Sequence, residues 1–185
     1  MKFETMSIQG AWIGVNQIHY DSRGYFREWF KFNEIERQTG VKFYPQQANV
    51  SKSKYGVLRG IHFSLSELGQ AKLVTCVSGS VWDVVIDIRP SSPTFGQWDC
   101  VELTEQNGKS VLISSGLGHA FVSLAEDSLL SYLQTSPYAP DFEYEINPLD
   151  AELGIQWPIV NPQMTLKDST APTMSELLAK GKLPQ

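Results

Sequence analysis

The sequence predicts a mainly β, antiparallel sandwich or barrel with a few short helices, and three observations carry that prediction. Short runs rich in Val, Ile, Leu and aromatic residues recur about every eight to twelve residues through the middle of the chain. Clusters such as Gln106-Asn107-Gly108 and Ser114–Gly118 punctuate them as turns. Within Val81–Arg89 the residues alternate with a period of two: Val81, Asp83, Val85 and Asp87 on one face, Trp82, Val84, Ile86 and Ile88 on the other.

Taken in order, Ile8–His19 reads as a strand region and Asp21-Ser22-Arg23-Gly24 as a turn. Tyr25–Phe30, YFREWF, follows as a strand with Phe26, Glu28 and Phe30 on one face and Tyr25, Arg27 and Trp29 on the other. This is much apolar surface for an N-terminal arm, which either covers the chain's own core or lies on a neighbouring subunit. Asn33 is placed to cap a short helix running through Gln38 and stopped by Gly40. Phe43–Val50 is a short strand that Pro45 assigns to a sheet edge. Lys72–Ser78 and Val81–Arg89 are strands, and Gly79–Ser80 between them signals a tight hairpin. The face of Trp82, Val84, Ile86 and Ile88 is expected to point into a core. After the loop Pro90-Ser91-Ser92-Pro93 come strands at Trp98–Leu103, Ser110–Ile113, Ala120–Ala125 and Ser128–Gln134. From Pro137 the periodicity fades. Pro148, Pro158 and Pro162 mark a wrapping segment, with a short terminal helix over Ser175–Lys180.

At 185 residues the chain fits one domain, residues 1–185, and shows no repeat or linker. Hydrophobic content of 42% and charged content of 19% describe an ordinary globular chain. The net charge is −5 and no run of Lys and Arg is present, which argues against nucleic-acid and membrane-surface binding. An anionic ligand then requires a local basic pocket that works against the global field. Cys76 and Cys100 have no ligand-like spacing, so neither a disulfide framework nor a zinc site is expected. MKFETMSIQG lacks a signal-peptide core and no run approaches transmembrane length, so the cytoplasm is the expected location.

Chemistry concentrates in Gly56–Arg89, which holds Arg59, His62 and Lys72. An arginine, a histidine and a lysine close together suit an anionic substrate and proton transfer. A β-domain with solvated Arg and Lys and a satisfied core histidine would carry the same residues. Two spaced motifs, Gly56-x5-His62 and Gly108-x5-Ser114-x-Gly116-x2-His119, resemble the cupin double motif. That resemblance implies an antiparallel double-stranded β-helix of jelly-roll type. Metal-binding cupins carry HxH in the first motif; here it is His62-Phe63-Ser64, with Glu67 at an imperfect offset. Two histidines alone make a poor divalent-metal site, so no metal is expected. His62 and His119 are then free for acid–base work. A carboxylate on the far ring nitrogen would fix the tautomer of His62. Asp83, Asp87 and Asp168 qualify by type; Asp83 and Asp87 qualify equally as solvated face charges.

RGIHF, QAKLVTC, GSVWDVVIDIR, SPTFG, GLGHAF, PYAP and DAELGIQWP, together with Asp21-Ser22-Arg23-Gly24-Tyr25-Phe26-Arg27-Glu28, resemble the dTDP-4-dehydrorhamnose 3,5-epimerase family from about Asp21 to Asp168. The resemblance implies a cofactor-free isomerase acting on a dTDP-4-keto-6-deoxyhexose. Its 4-keto group acidifies the neighbouring carbons, so a base can remove a proton to leave an enolate and an acid on the opposite face can invert the centre. By motif, His62 is the base, Asp168 its partner, Tyr132 the acid and Lys72 the stabiliser of the enolate oxygen. Arg59 would hold diphosphate, with Gln47 and Asn49 in the pocket. His119, Tyr138, Glu143 and Lys167 fall at positions lining the sugar or nucleotide. Arg23, Phe26 and Glu28 fall at positions that reach a partner subunit's site, which makes the strands of about residues 8–30 a dimer-exchange arm. GHAF and HFSLSELGQAK also occur in relatives of specialised deoxysugar pathways, some of which invert one carbon only. A single-centre epimerase is therefore the first alternative. A metal-dependent cupin enzyme and a non-catalytic sugar-nucleotide binder are the others.

Overall fold

Thirteen strands and three short α-helices make up the fold, seen in a computed structural model that describes all of residues 1–185. The strands are β1 (Lys2–Thr5), β2 (Ala11–Val15), β3 (Ile18–Asp21), β4 (Gly24–Arg27), β5 (Gln47–Ser53), β6 (Leu58–Ser64), β7 (Lys72–Ser78), β8 (Ser80–Asp87), β9 (Trp98–Thr104), β10 (Lys109–Ile113), β11 (Leu117–Ser123), β12 (Ser128–Gln134) and β13 (Glu143–Glu145). The helices are α1 (Phe32–Thr39), α2 (Leu166–Ser169) and α3 (Met174–Ala179). One sheet has the order β1-β2-β10-β7-β12-β5, the other β13-β6-β11-β8-β9, and β3 pairs only with β4. All the strand pairings are antiparallel, as a cupin-like jelly roll requires.

The expected hairpin at Gly79–Ser80 is not formed. β7 lies between β10 and β12 in the larger sheet, and β8 lies between β11 and β9 in the smaller one. Both hydrogen-bonding edges of each strand are therefore taken by other strands, and the turn carries the chain from one sheet to the other. Gly79 makes the corner with φ +78°, and a Cβ there would sit 2.8 Å from Ser128 Oγ.

Three apolar layers hold the sheets. Val74, Cys76, Val81, Val85, Phe121 and Leu130 pack between them. Ile61, Phe63, Val84, Ile86 and Ile88 on the outer face of the smaller sheet meet Ile146, Leu153, Met174, Leu177 and Leu183 of the C-terminal wrap. Ile35 of α1 and Phe43 cover Leu73 and Leu112 on the outer face of the larger sheet. The Trp82, Val84, Ile86, Ile88 face of β8 thus packs into a core, with Trp82 edge-on to Trp98 and Trp157. The opposite face is buried too. Asp83 and Asp87, which the alternation left open to solvent, are both 0% exposed. Asp87 is satisfied by Arg89, Ser92 and Thr94. Burial raises its pKa, but these hydrogen bonds outweigh that and bring it to about 2.

Smaller differences follow the same logic. α1 starts one residue before Asn33, after Lys31, with no side-chain cap, and Gly40 ends it in the left-handed region. β11 begins at Leu117 rather than at Ala120, so His119 lies inside it. β1, the edge strand paired with β2 and lying against α1, has no strong apolar alternation and was not expected. No helix is long and apolar enough to cross a membrane.

Candidate active site

A cavity of about 500 Å³ opens between the sheets. The larger sheet supplies one wall by simple alternation. Gln47, Asn49 and Ser51 come from β5, Lys72 from β7, and Leu130, Tyr132 and Gln134 from β12. The smaller sheet supplies the other wall: Arg59 and His62 from β6, His119 and Phe121 from β11, and Glu143 and Glu145 from β13.

Strict alternation would put Arg59 and His62 on opposite faces of β6. The break comes at Gly60, where φ is +109° and a Cβ would stand 2.6 Å from the carbonyl oxygen of His119. The β6–β11 register shifts there, between His119/His62 and Phe121/Arg59. Only glycine admits this close approach, and it turns both the cation and the histidine into one cavity.

His62 is half-buried, and its Nε2 lies 2.7 Å from Asp168 Oδ1. Across 106 residues of sequence, the C-terminal wrap delivers that carboxylate. Gln163 runs alongside Gly56 and Leu58, exchanging backbone hydrogen bonds with both. Thr165 then caps α2: its side chain accepts from the Asp168 N–H and donates to Asp168 Oδ2 at 2.9 Å. Burial pushes the Asp168 pKa up, but the hydrogen bond and charge of His62, with Thr165 and Lys167, hold it below the ordinary carboxylate value. The ionised Asp168 accepts a hydrogen bond from Nε2–H, so Nδ1 of His62 is the nitrogen free to act as a base.

Tyr132 faces this pair from the opposite sheet. Burial raises its pKa, Arg59 pulls it down and Glu143 adds to the rise; the net shift is upward. The hydroxyl is therefore protonated and able to donate at neutral pH. Lys72 is 9% exposed; burial lowers its pKa, while Glu143 and Asp83 oppose that. Arg59 is held by Ser53 Oγ at 3.0 Å and the Lys52 carbonyl at 3.1 Å. Neither partner is a carboxylate, so its charge is free for an anion.

A chain of amides shapes the rest of the wall. The Tyr138 N–H donates to Gln47 Oε1, Gln47 Nε2 to Asn49 Oδ1, and Asn49 Nδ2 to Gln134 Oε1. His119 Nε2 lies 2.8 Å from Asp83 Oδ2. Glu143 accepts from Gln70, and Lys167 is paired with Glu145.

Of the residues expected in the site, His62, Tyr132, Lys72, Gln47, Asn49, Arg59, His119, Tyr138, Glu143 and Lys167 line this one cavity, and Asp168 stands directly behind His62. Arg23, Phe26 and Glu28 do not line it. They belong to the exposed β3–β4 hairpin and its exit, where Arg23 pairs with Asp21 and Glu28 with Lys31. Ser51, Phe121, Leu130, Gln134, Tyr144 and Glu145 were not anticipated. Period-two counting from Asn49, His119 and Tyr132 reaches Ser51, Phe121, Leu130 and Gln134. No group of three or more His, Cys, Asp and Glu side chains is arranged to hold a metal ion.

Residues 5–176 match the family model described as dTDP-4-dehydrorhamnose 3,5-epimerase. The chain is 48% identical to a dTDP-4-dehydrorhamnose 3,5-epimerase of Mycolicibacterium smegmatis, over 100% of this chain and 91% of that protein. It superposes on an epimerase of Mycobacterium tuberculosis with a TM-score of 0.97 at 42% identity, covering 100% of this chain and 94% of that one. A 3′-monoepimerase from Streptomyces bikiniensis in complex with dTDP-quinovose gives a TM-score of 0.93 at 43% identity, covering 97% and 91%.

Proposed function

This chain belongs to the dTDP-4-dehydrorhamnose 3,5-epimerase family, and on that footing we propose that it inverts carbon 3, carbon 5 or both of a dTDP-4-keto-6-deoxyhexose in deoxysugar biosynthesis. The observation that carries the reading is the placement of a protonated phenol, Tyr132, across one cavity from a carboxylate-backed histidine, His62. Inversion through an enolate needs a base on one face of the sugar and an acid on the other. His62 Nδ1 removes the proton next to the ketone, and Asp168 stabilises the imidazolium that forms. Lys72, whose ammonium lies on the cavity, meets the charge that grows on the carbonyl oxygen. Tyr132 returns a proton from the far side.

Arg59 takes the diphosphate, and the Gln47–Asn49–Gln134 chain, His119, Tyr138, Glu143 and Lys167 surround the sugar and nucleotide. Neither a metal nor an organic cofactor enters any step, so activity should survive exhaustive chelation; loss that one divalent metal restores would contradict this. The exposed Arg23, Phe26 and Glu28 complete the site of a second copy in a homodimer that exchanges its arms. Single-centre inversion is the second reading, favoured by the similarity to a 3′-monoepimerase. Proton NMR of the keto-sugar nucleotide in heavy water, following carbons 3 and 5 separately, tests the function. Enzyme-dependent exchange at either carbon is expected. Exchange at neither would overturn the reading.

A further inference from the structure

Two histidine–carboxylate pairs meet the cavity, and the chemistry above uses one of them. The second is more deeply buried: the His119 side chain is 12% exposed and that of Asp83 0%. Asp83 Oδ2 accepts a hydrogen bond from His119 Nε2–H at 2.8 Å. Asp83 Oδ1 is buried with no hydrogen-bond partner at all. Asp168 differs, because both of its oxygens are engaged, one by His62 and one by Thr165.

A buried carboxylate oxygen without a hydrogen bond costs free energy, so such a group persists when nearby charge or function compensates it. The surroundings of Asp83 on its own sheet are apolar: Val81 and Val85 flank it on the same face, and Phe121 and Val101 are its cross-strand neighbours. A cation lines the same cavity from the facing sheet. Lys72 makes no side-chain hydrogen bond or ion pair of its own, and Glu143 and Asp83 are the two anions that act on it. Glu143 is held by Gln70. Asp83 thus grips a cavity histidine with one oxygen, keeps the other buried without a hydrogen-bond partner, and is one of two anions whose charge acts on the cavity lysine.

We propose that Asp83 is a positioning residue for the epimerisation: from behind the cavity wall its carboxylate fixes the His119 ring and holds the Lys72 ammonium in place for the developing enolate oxygen. The role rests on the epimerase reading. Asp83 itself is fully buried and touches no substrate, so its effect must pass through His119 and Lys72. A displacement of such a group by about 1 Å costs on the order of 10²-fold in rate.

The test has two arms. In the wild-type protein, ¹⁵N NMR of the histidine rings should show His119 protonated at Nε2; a bare Nε2 would overturn the proposal. In Asp83→Asn, kcat per folded molecule should fall about 10²-fold, and by a larger factor than KM rises, because the misplaced groups act mainly on the developing enolate. The loss should not add to that of Lys72→Gln in the double variant. A kcat within twofold of wild type, or full additivity with Lys72→Gln, would refute the role. Should Asp83→Asn fail to fold, the ring spectrum of the wild type still decides. A wild-type protein that turns over while Asp83→Asn is unimpaired removes only this role; a wild-type protein without any turnover removes the epimerase reading itself.

Discussion

Asp168→Asn isolates what the carboxylate does for His62. The side chain keeps its shape, and Thr165 can still bond to it, so α2 should stay in place. What changes is the bond to His62 Nε2, now 2.7 Å long and made to a carboxylate only 4% exposed. A hydrogen bond to a charged group contributes about 1.5–3 kcal/mol and a neutral one about 0.5–1.5 kcal/mol. Losing the charge therefore removes roughly 1–1.5 kcal/mol of imidazolium stabilisation, which is about tenfold in the rate of proton abstraction. A second effect adds to it. With its oxygen on Thr165, the amide would turn its NH₂ toward His62, and the ring would have to move its proton to Nδ1. The base nitrogen would then be blocked. The combined loss in kcat should lie above tenfold and below the 10²–10⁴-fold or so that a general base contributes outright. Steady-state kinetics on the keto-sugar nucleotide, normalised to folded protein by circular dichroism, would measure it. A kcat within twofold of wild type would refute the idea that Asp168 prepares His62.

Three further outcomes are expected. Asp87 has a folded pKa of about 2, against about 3.9 when unfolded. Its stabilisation, about 2–3 kcal/mol, is present above pH ~4 and lost as pH falls through the folded value. Asp87→Asn should lower Tm at pH 7 by roughly 5–10 °C, and the gap from wild type should close between about pH 4 and pH 2; a constant gap in scanning calorimetry would contradict the assignment. Arg59→Ala should raise KM more than it lowers kcat, because a diphosphate contact acts in ground and transition states alike; an unchanged KM with a collapsed kcat would give Arg59 a different job. Light scattering at micromolar concentration should show a dimer, and a fully active monomer would rule out arm exchange.

Much of this architecture was legible in the residues because it is local. The strands over Trp98–Leu103, Ser110–Ile113 and Ser128–Gln134 match β9, β10 and β12 within a residue, since alternation and turn composition act over a few neighbours. The Gly79–Ser80 signal was equally local and misled, because β7 pairs with β10 and β12 and β8 with β11 and β9, so neither edge of either strand is left for the other. Burial of Asp83 and Asp87 escaped for a related reason. A strand covered on both faces has no solvent side: the larger sheet covers the face of Val81, Asp83, Val85 and Asp87, and the C-terminal wrap, with α3 and Leu183, covers the other. In the site, residue type alone left three carboxylates competing for His62. The structure gives each its own partner: Asp168 to His62, Asp83 to His119 and Asp87 to Arg89. No spacing rule could separate them, because the decisive contacts cross 106 and 36 residues. Family motifs supplied Asp168 and Tyr132 where periodicity could not. The reach of Arg59 and His62 into one cavity needed the Gly60 irregularity, which strict alternation does not foresee.

The central claim is that His62 and Tyr132 serve opposite faces of one sugar, and Tyr132→Phe in heavy water tests it most directly. The variant still carries the His62–Asp168 pair, so the enolate should form, and reprotonation by His62 should return starting material. NMR should therefore show deuterium entering carbon 3 or carbon 5 of the substrate with its configuration retained, provided the histidine proton exchanges with solvent during the enolate's lifetime. Inversion by Tyr132→Phe at a rate per folded molecule close to wild type would contradict the claim and leave Tyr132 a packing residue on the cavity wall.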